Sequence, residues 1–335
     1  MRRSRPAIAI ALSLALAGPA FAQAYKTPRT PLGQPDLQGL WDSDSMTRLQ
    51  RPSKGFAALV ATPEEAAAYE GKGYERYGKV IGPVDPNEPA PELDKVTDDD
   101  RFDRPHGLAR VRGEARSSII VDPADGRLPY TPAAKAAAEK ALKDEEVYDH
   151  PEGRPFDERC LLGGGGGVAA PITTRHHILI VQTADHVVLF GEQNHEARII
   201  PMRDPKHLPA VMAPWMGDAI GRWDGDTLVI ETINHSPNDR WRWNAGDWIM
   251  LTPRAKIVER FTRIAADELL YSFSVDDPDA YTQAWRGELP LRASPGPVFE
   301  FACHEGNYAL GNILAGGRAA EREAAQGAPA TKAAP

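Results

Sequence analysis

The chain has 335 residues, with 39 Lys and Arg against 47 Asp and Glu and a formal net charge of −8. That acidic balance argues against nucleic acid or anionic lipid as a partner, while the length suffices for a large core in one or two domains. Thirty prolines and 29 glycines point to a loop-rich β protein. The first 22 residues read as a secretory signal peptide. Arg2, Arg3 and Arg5 form a basic n-region, Ala7–Ala17 an apolar h-region, and Ala20-Phe21-Ala22 a cleavage site. The apolar run is short for a membrane anchor and ends in Gly18-Pro19. Its removal would take the net charge from −8 to −11 and leave a periplasmic or secreted protein without an anchor.

Past the leader, residues 23–61 are mostly irregular around Asp36–Trp41. A Gly-x-Trp at Gly39–Trp41 is reminiscent of lipocalin-type barrels, where the Trp plugs one end; an ordinary core Trp is the alternative. Thr62-Pro63-Glu64-Glu65 is a capping box with Pro at the first helical position, predicting a helix to about Tyr74. Residues 79–105 carry Pro and Asp without periodicity and read as a loop. Ser117–Val121 reads as a strand, and Thr131-Pro132 opens a second, Ala-rich helix with i,i+4 pairs such as Glu139–Lys143. Gly163–Gly167 lacks the Gly-Lys-Ser/Thr of a phosphate loop and reads as a flexible loop.

From Arg175 onward the pattern is β. Ile178–Thr183 and Val187–Phe190 make a hairpin around Ala184-Asp185-His186. Gly221–Trp223 and Thr227–Thr232 flank Asp224-Gly225, a type I′ signal. Lys256–Ile264, Glu268–Val275, Ala280–Arg292 and Val298–Cys303 follow. In the second of these, Leu269, Tyr271, Phe273 and Val275 share one face. Eight or nine short strands at regular spacing predict a mainly β fold: an antiparallel barrel or sandwich, lipocalin-like in one version, with two short peripheral helices and long loops. A single domain is expected over 23–318, with a disordered tail over 319–335.

Four clusters could carry chemistry. Glu192, His195, Glu196 and Arg198 combine an imidazole, carboxylates and a guanidinium; the blander reading is a solvated strand end. Cys303-His304-Glu305-Gly306-Asn307 follows an expected core strand, with a loop that merely caps backbone as its alternative. Asp218, before the Asp224-Gly225 turn, is a candidate buried acid. Arg240–Trp243 with Trp248 could line a pocket mouth or simply pack on the core. In an oxidising compartment Cys160 and Cys303 are expected to pair, the alternative being two buried free thiols. Nine histidines raise the question of a metal, yet no H-E-x-x-H, H-x-H or Cys cluster occurs; none is expected, the alternative being a site from His195, His304 and one carboxylate.

The segments PDLQGLW, SSIIVDPADGRLP, ERC, HEARIIP, GDAIGRWDGDTLVIET, VERFTR, VDDP and FACHEGNYALGNIL resemble a family of secreted, largely uncharacterised bacterial proteins. The resemblance spans nearly all of the mature chain and departs at Gly163–Gly167, where the family's loop is less glycine-rich. It implies one integrated β unit and marks His195, Arg198, Asp218, Trp223, Asp226, Glu259, His304, Glu305 and Asn307 as motif residues; it transfers no reaction.

The leading expectation is a cofactor-free acid–base enzyme of lyase, dehydratase or isomerase type, acting on a small cyclic or oxygenated molecule. His195 and His304 would exchange proton roles and Arg198 would stabilise an anion or oxyanion. Glu192, Asp218 and Glu305 would orient the imidazoles, and Trp223, Trp241, Trp243, Trp285 and Asn307 would bind the substrate. Two alternatives stand beside it: a lipocalin-like carrier with a pocket lined by tryptophans, and a hydrolase using an activated water.

Overall fold

A computed structural model describes residues 25–81, 107–144, 150–154, 158–161, 169–172, 177–238, 241–305 and 307–326, with side chains left undescribed at 75–81, 141–144, 243 and 244. The expected leader, the Gly163–Gly167 loop, most of the 79–105 segment, the Glu139–Lys143 pair and residues 327–335 of the tail lie outside that description.

The strands are β1 (Gly39–Asp42), β2 (Arg110–Val111), β3 (Glu114–Ala115), β4 (Ile120–Asp122), β5 (His177–Gln182), β6 (His186–Gly191) and β7 (Ala197–Pro201). After them come β8 (Asp218–Asp224), β9 (Thr227–Ile233), β10 (Trp241–Asn244), β11 (Asp247–Met250), β12 (Lys256–Ala265), β13 (Glu268–Asp276) and β14 (Trp285–Ala293). The helices are α1 (Pro63–Ile81), α2 (Pro132–Asp144) and α3 (Ala309–Ala325). One antiparallel sheet in the order β7-β6-β5-β1-β14-β13-β12-β9-β8 curls into a nearly closed barrel, and β4 adds to β14. Nine alternating strands leave β7 and β8 pointing the same way, so the seam cannot close as an ordinary antiparallel ladder. Gly221 on β8 lies where β7 comes near: a Cβ there would stand 2.9 Å from Ile200 Cγ2.

Period-two patterning builds the core. Leu269, Tyr271, Phe273 and Val275 of β13 are buried and the alternate residues are not, as their spacing predicts. They pack with Ile257 and Phe261 of β12, Leu289 and Leu291 of β14, and Ile178 and Ile180 of β5. Trp41 is buried, donates its Nε1–H to the Leu37 carbonyl at 2.9 Å, and lies 5.4 Å beneath the Arg263 guanidinium. Arg263 in turn donates to the Asp36 carbonyl at 3.0 Å, which fastens the N-terminal segment across that end of β12.

Both predicted helix starts are realised. Thr62 and Glu65 bond reciprocally, Glu65 N–H to Thr62 Oγ1 at 3.2 Å and Thr62 N–H to Glu65 Oε2 at 2.9 Å. Thr131 Oγ1 accepts from the Ala134 amide at 3.2 Å. α1 runs on to Ile81, beyond the expected stop at Tyr74.

Four details differ from the sequence-based expectations. The first hairpin turns at Thr183-Ala184-Asp185, one residue earlier. The β8–β9 loop is Gly225-Asp226, with positive φ at Gly225 alone, the sign pattern of a II′ turn rather than I′. Residues 298–303 form no strand, because their amides bond to side chains at the barrel end. The stretch from 319 is not disordered throughout: α3 continues to Ala325, an Ala-rich helix that Gly311, Gly316 and Gly317 had disguised.

Candidate active site

Toward the Lys256 end of β12 the barrel interior carries a cluster of polar side chains among the apolar ones. On β7 alternation aims Arg198 and Ile200 inward, on β12 Ile257, Glu259 and Phe261, and on β9 Leu228, Ile230 and Thr232. Arg198 and Glu259 are 4% and 0% exposed and meet in a two-pronged ion pair, Nη2 to Oε2 at 2.6 Å and Nη1 to Oε1 at 3.2 Å. Arg198 Nη2 also donates to Thr232 Oγ1 at 3.0 Å. The Tyr271 hydroxyl donates to Glu259 Oε1 at 2.8 Å and accepts from the Ile172 amide at 2.9 Å. Burial, and then the charge of Glu259, push Tyr271 well above the ordinary phenol range, so it remains a donor. Arg242, also buried, donates to the Ala170 carbonyl.

His235 belongs to the same layer. It is 0% exposed, and neither ring nitrogen makes a well-formed hydrogen bond. Burial above all, then the charges of Arg242 and Arg198, lower its pKa from 6.5 to about 3, with the Thr232 backbone opposing weakly. The ring is therefore neutral at physiological pH.

Gly217 covers this layer. With φ +76° it occupies the left-handed region, and a Cβ would stand 2.7 Å from Thr232 Cγ2 and 3.0 Å from His235 Cε1 and Nδ1. Gly217→Ala should therefore destabilise the protein by about 1–3 kcal/mol, from the left-handed strain and the overpacking together. Thermal unfolding with an unchanged midpoint would contradict this close approach.

One residue further on, the chain crosses to the outside of the barrel. Ala219 packs on the core, so Asp218 faces out, and outward alternation on β9 and β12 places Glu231 and Lys256 beside it. The loop between β7 and β8 brings His207 against them. Its Nδ1 is 2.8 Å from Asp218 Oδ2, and its Nε2 is 3.4 Å from Glu231 Oε1. Asp218 Oδ2 also accepts from the Leu208 amide at 2.7 Å, and Asn234 Nδ2 donates to the Leu208 carbonyl at 2.9 Å, which pins the loop. Lys256 Nζ is 2.8 Å from Glu231 Oε2, and this contact holds Glu231 below the usual carboxylate range. The side chains of His207 and Asp218 are 18% and 11% exposed, and His207 Nε2 itself is buried. An imidazole fixed at Nδ1 by a carboxylate presents Nε2 for proton transfer.

The residues singled out from sequence fall into three places. Arg198 is interior, paired with Glu259. Asp218 does orient an imidazole, but it is that of His207, which no sequence cue had marked. Glu192 and His195 fasten the C-terminal arm: Glu192 Oε2 accepts from the Phe299 amide at 2.8 Å, and His195 Nε2 accepts from the Phe301 amide at 2.9 Å. His195 stacks on Phe190 at 5.8 Å, and the nearest imidazole to Glu192 is His177, with Nδ1 at 3.9 Å. The 192–195 strand end thus meets the 299–301 segment, through backbone amides.

The Cys160–Cys303 disulfide is formed, with Cα atoms 5.8 Å apart. Asn307 Nδ2 bonds to the Glu158 carbonyl at 2.9 Å and to Cys160 Sγ at 3.2 Å, a bracing role. His304 and Glu305 are exposed beyond the bridge. Trp285 is a core residue, edge-on to Phe273 at 5.5 Å and Tyr281 at 5.8 Å. Trp223 and Trp241 are half-buried, while the Trp243 side chain lies outside the description. Among the described residues no group of three His, Cys, Asp or Glu side chains is spaced to hold a metal ion, and no helix is long and apolar enough to cross a membrane.

Fold and site together define a nearly closed, nine-stranded antiparallel barrel with a buried ion-pair layer inside and a carboxylate–imidazole pair on its wall. Comparison with protein-family models, with curated proteins and with solved structures finds no match.

Proposed function

We propose that the protein is an extracytoplasmic acid–base enzyme of lyase, dehydratase or isomerase type, with His207 as its proton-transfer group. The observation that carries this reading is the 2.8 Å contact between His207 Nδ1 and Asp218 Oδ2, which fixes the ring with Nε2 buried against Glu231 beneath the β7–β8 loop. Asp218 is the positioning residue, further held by the Leu208 amide. Once the largely exposed 208–215 loop draws aside to uncover it, His207 Nε2 would take a proton from carbon or oxygen of the substrate, and Glu231, tied to Lys256, would steady the imidazolium that results. Leu208 and Trp215, both exposed in the flanking loop, offer apolar surface to a small oxygenated molecule. The Cys160–Cys303 bridge supports an oxidising compartment. A carrier would need a cavity along the barrel axis, and Trp41, Phe261, Tyr271, Phe273 and Trp285 occupy that interior.

Deuterium exchange tests the proposal without knowledge of the product. The protein is incubated in D₂O with a panel of small hydroxy-carbonyl and cyclic hydroxy acids, and loss of C–H signals is followed by proton NMR. Wild type should exchange at least one substrate, and His207→Gln should slow that exchange by about 10²–10⁴-fold at unchanged thermal midpoint. Full-rate exchange in His207→Gln, or none by the wild type across the panel, would sink the assignment.

A further inference from the structure

A cleft of about 650 Å³ opens between α2 and the β10–β11 hairpin, and none of its lining residues belongs to the His207 site. We propose that this cleft is a binding site for a small ring-bearing carboxylate, such as an aromatic or cyclic acid. Its size falls within the range that encloses a single small ligand.

The walls are built and rigid. Tyr130 and Trp248 face the cleft along with Leu128. The Tyr130 hydroxyl donates to the Trp248 carbonyl, and its ring stacks on Tyr281 at 5.1 Å. Tyr281 is fixed in turn through Met250, accepting from its amide at 3.2 Å and donating to its carbonyl at 2.9 Å. These contacts tie the hairpin to the segment that leads into α2. The Tyr130 ring, held in this way beside the Trp248 indole, offers stacking surface with little ordering cost on binding.

The charge in the cleft is arranged unevenly. Asp247, the inner carboxylate, is already engaged by Gln50, whose Nε2 donates to Oδ1 at 2.7 Å and whose amide donates to Oδ2 at 3.2 Å. Gln50 Oε1 then accepts from the Leu128 amide at 3.0 Å, so the floor is internally satisfied. Burial raises the Asp247 pKa, against the pull of Gln50, Arg48 and Arg127. Arg127 and Lys135 are exposed cations at the rim, and neither enters an ion pair among the described residues. Glu139, one helical turn beyond Lys135, is the opposing charge and disfavours a second carboxylate on the ligand. Aromatic walls beneath two unspent cations suit a flat ring carrying one carboxylate.

Calorimetric titration of the full-length protein with benzoate, 4-hydroxybenzoate and cyclohexanecarboxylate tests this, with benzamide as the uncharged comparison. At least one of the acids should bind saturably at one site per chain. Arg127→Gln/Lys135→Gln should weaken it by about ten- to a hundredfold, the loss of charge-assisted hydrogen bonding. Benzamide should bind correspondingly less well than benzoate, and His207→Gln should leave the isotherm unchanged. Absence of saturable binding by all three acids would overturn the proposal, as would an isotherm indifferent to the Arg127/Lys135 pair. Binding lost in His207→Gln but kept in the rim variant would also overturn it, by moving the ligand to the other site. Both rim residues are exposed, so the double variant should fold; its thermal midpoint verifies this independently.

Discussion

Arg198→Met is expected to cost about 3–5 kcal/mol, because it leaves the Glu259 carboxylate charged and buried with its chief partner gone. Glu259 is 0% exposed, and it is left with the Tyr271 hydroxyl, a neutral donor. The loss comes mainly from the abandoned charge and much less from any net attraction the pair provides. Taking two ions out of water offsets most of the Coulombic gain between them. Arg198→Met/Glu259→Leu should accordingly recover most of the stability lost in the single variant, since an apolar pair of similar volume leaves nothing charged behind. Urea unfolding of wild type, both single variants and the double variant completes the cycle. If Arg198→Met lost less than about 1 kcal/mol, or if the double variant were as damaged as the sum of the singles, the buried ion pair would not hold the interior as described.

The second large effect is on acid stability. The folded-state pKa of His235 lies below its unfolded value, so protons favour the unfolded chain. The stability concerned is fully present above pH 6.5 and drains away as the pH falls toward about 3. Within that window each pH unit costs about 1.4 kcal/mol, or about 2–3 kcal/mol between pH 6.5 and 4.5. Arg198 and Arg242 add to the refusal of a proton, and the nearby Glu259 is neutralised by Arg198. His235→Leu removes the titrating group. Because the imidazole makes no well-formed hydrogen bond, the change should be neutral or mildly stabilising at pH 7.5. At pH 4.5 the variant should gain about 2–3 kcal/mol on the wild type relative to that starting difference. Parallel stability curves for the two proteins from pH 7.5 to 4.5 would show that His235 takes up its proton freely when folded.

Part of this site was legible in the chain before folding. Alternation around β13 puts Tyr271 on the buried face, and the same reasoning on VERFTR puts Glu259 between Ile257 and Phe261. A carboxylate inside an apolar period demands a cation, and Arg198, inward on its own short strand, meets that demand. The Gly225 turn similarly sets Asp218 and Glu231 on one face of the β8–β9 hairpin. His207 was not legible, because it sits in an aperiodic, proline-bounded loop whose path depends on how β7 is joined to β8. Nor was His235, which follows a strand end and reads as a polar loop residue until Gly217 folds over it. The motif around Glu192 and His195 was conspicuous for a different reason from the one expected: its polar groups bind backbone amides of the 299–301 segment.

The chain by itself determines its acidic balance, and also most strands of the large sheet, the two capped helix starts and the inward and outward faces, since these depend on neighbours a few residues away. Only the tertiary structure decides that β7 comes to lie beside β8 and that Arg198 reaches Glu259 across the interior. The same holds for the imidazole that Asp218 receives and for the cleft formed where α2 meets the hairpin. Those pairings join residues tens to hundreds of positions apart, and local propensity carries no information about them. They are selected when the whole sheet curls, because only then does each buried charge find the single partner within reach.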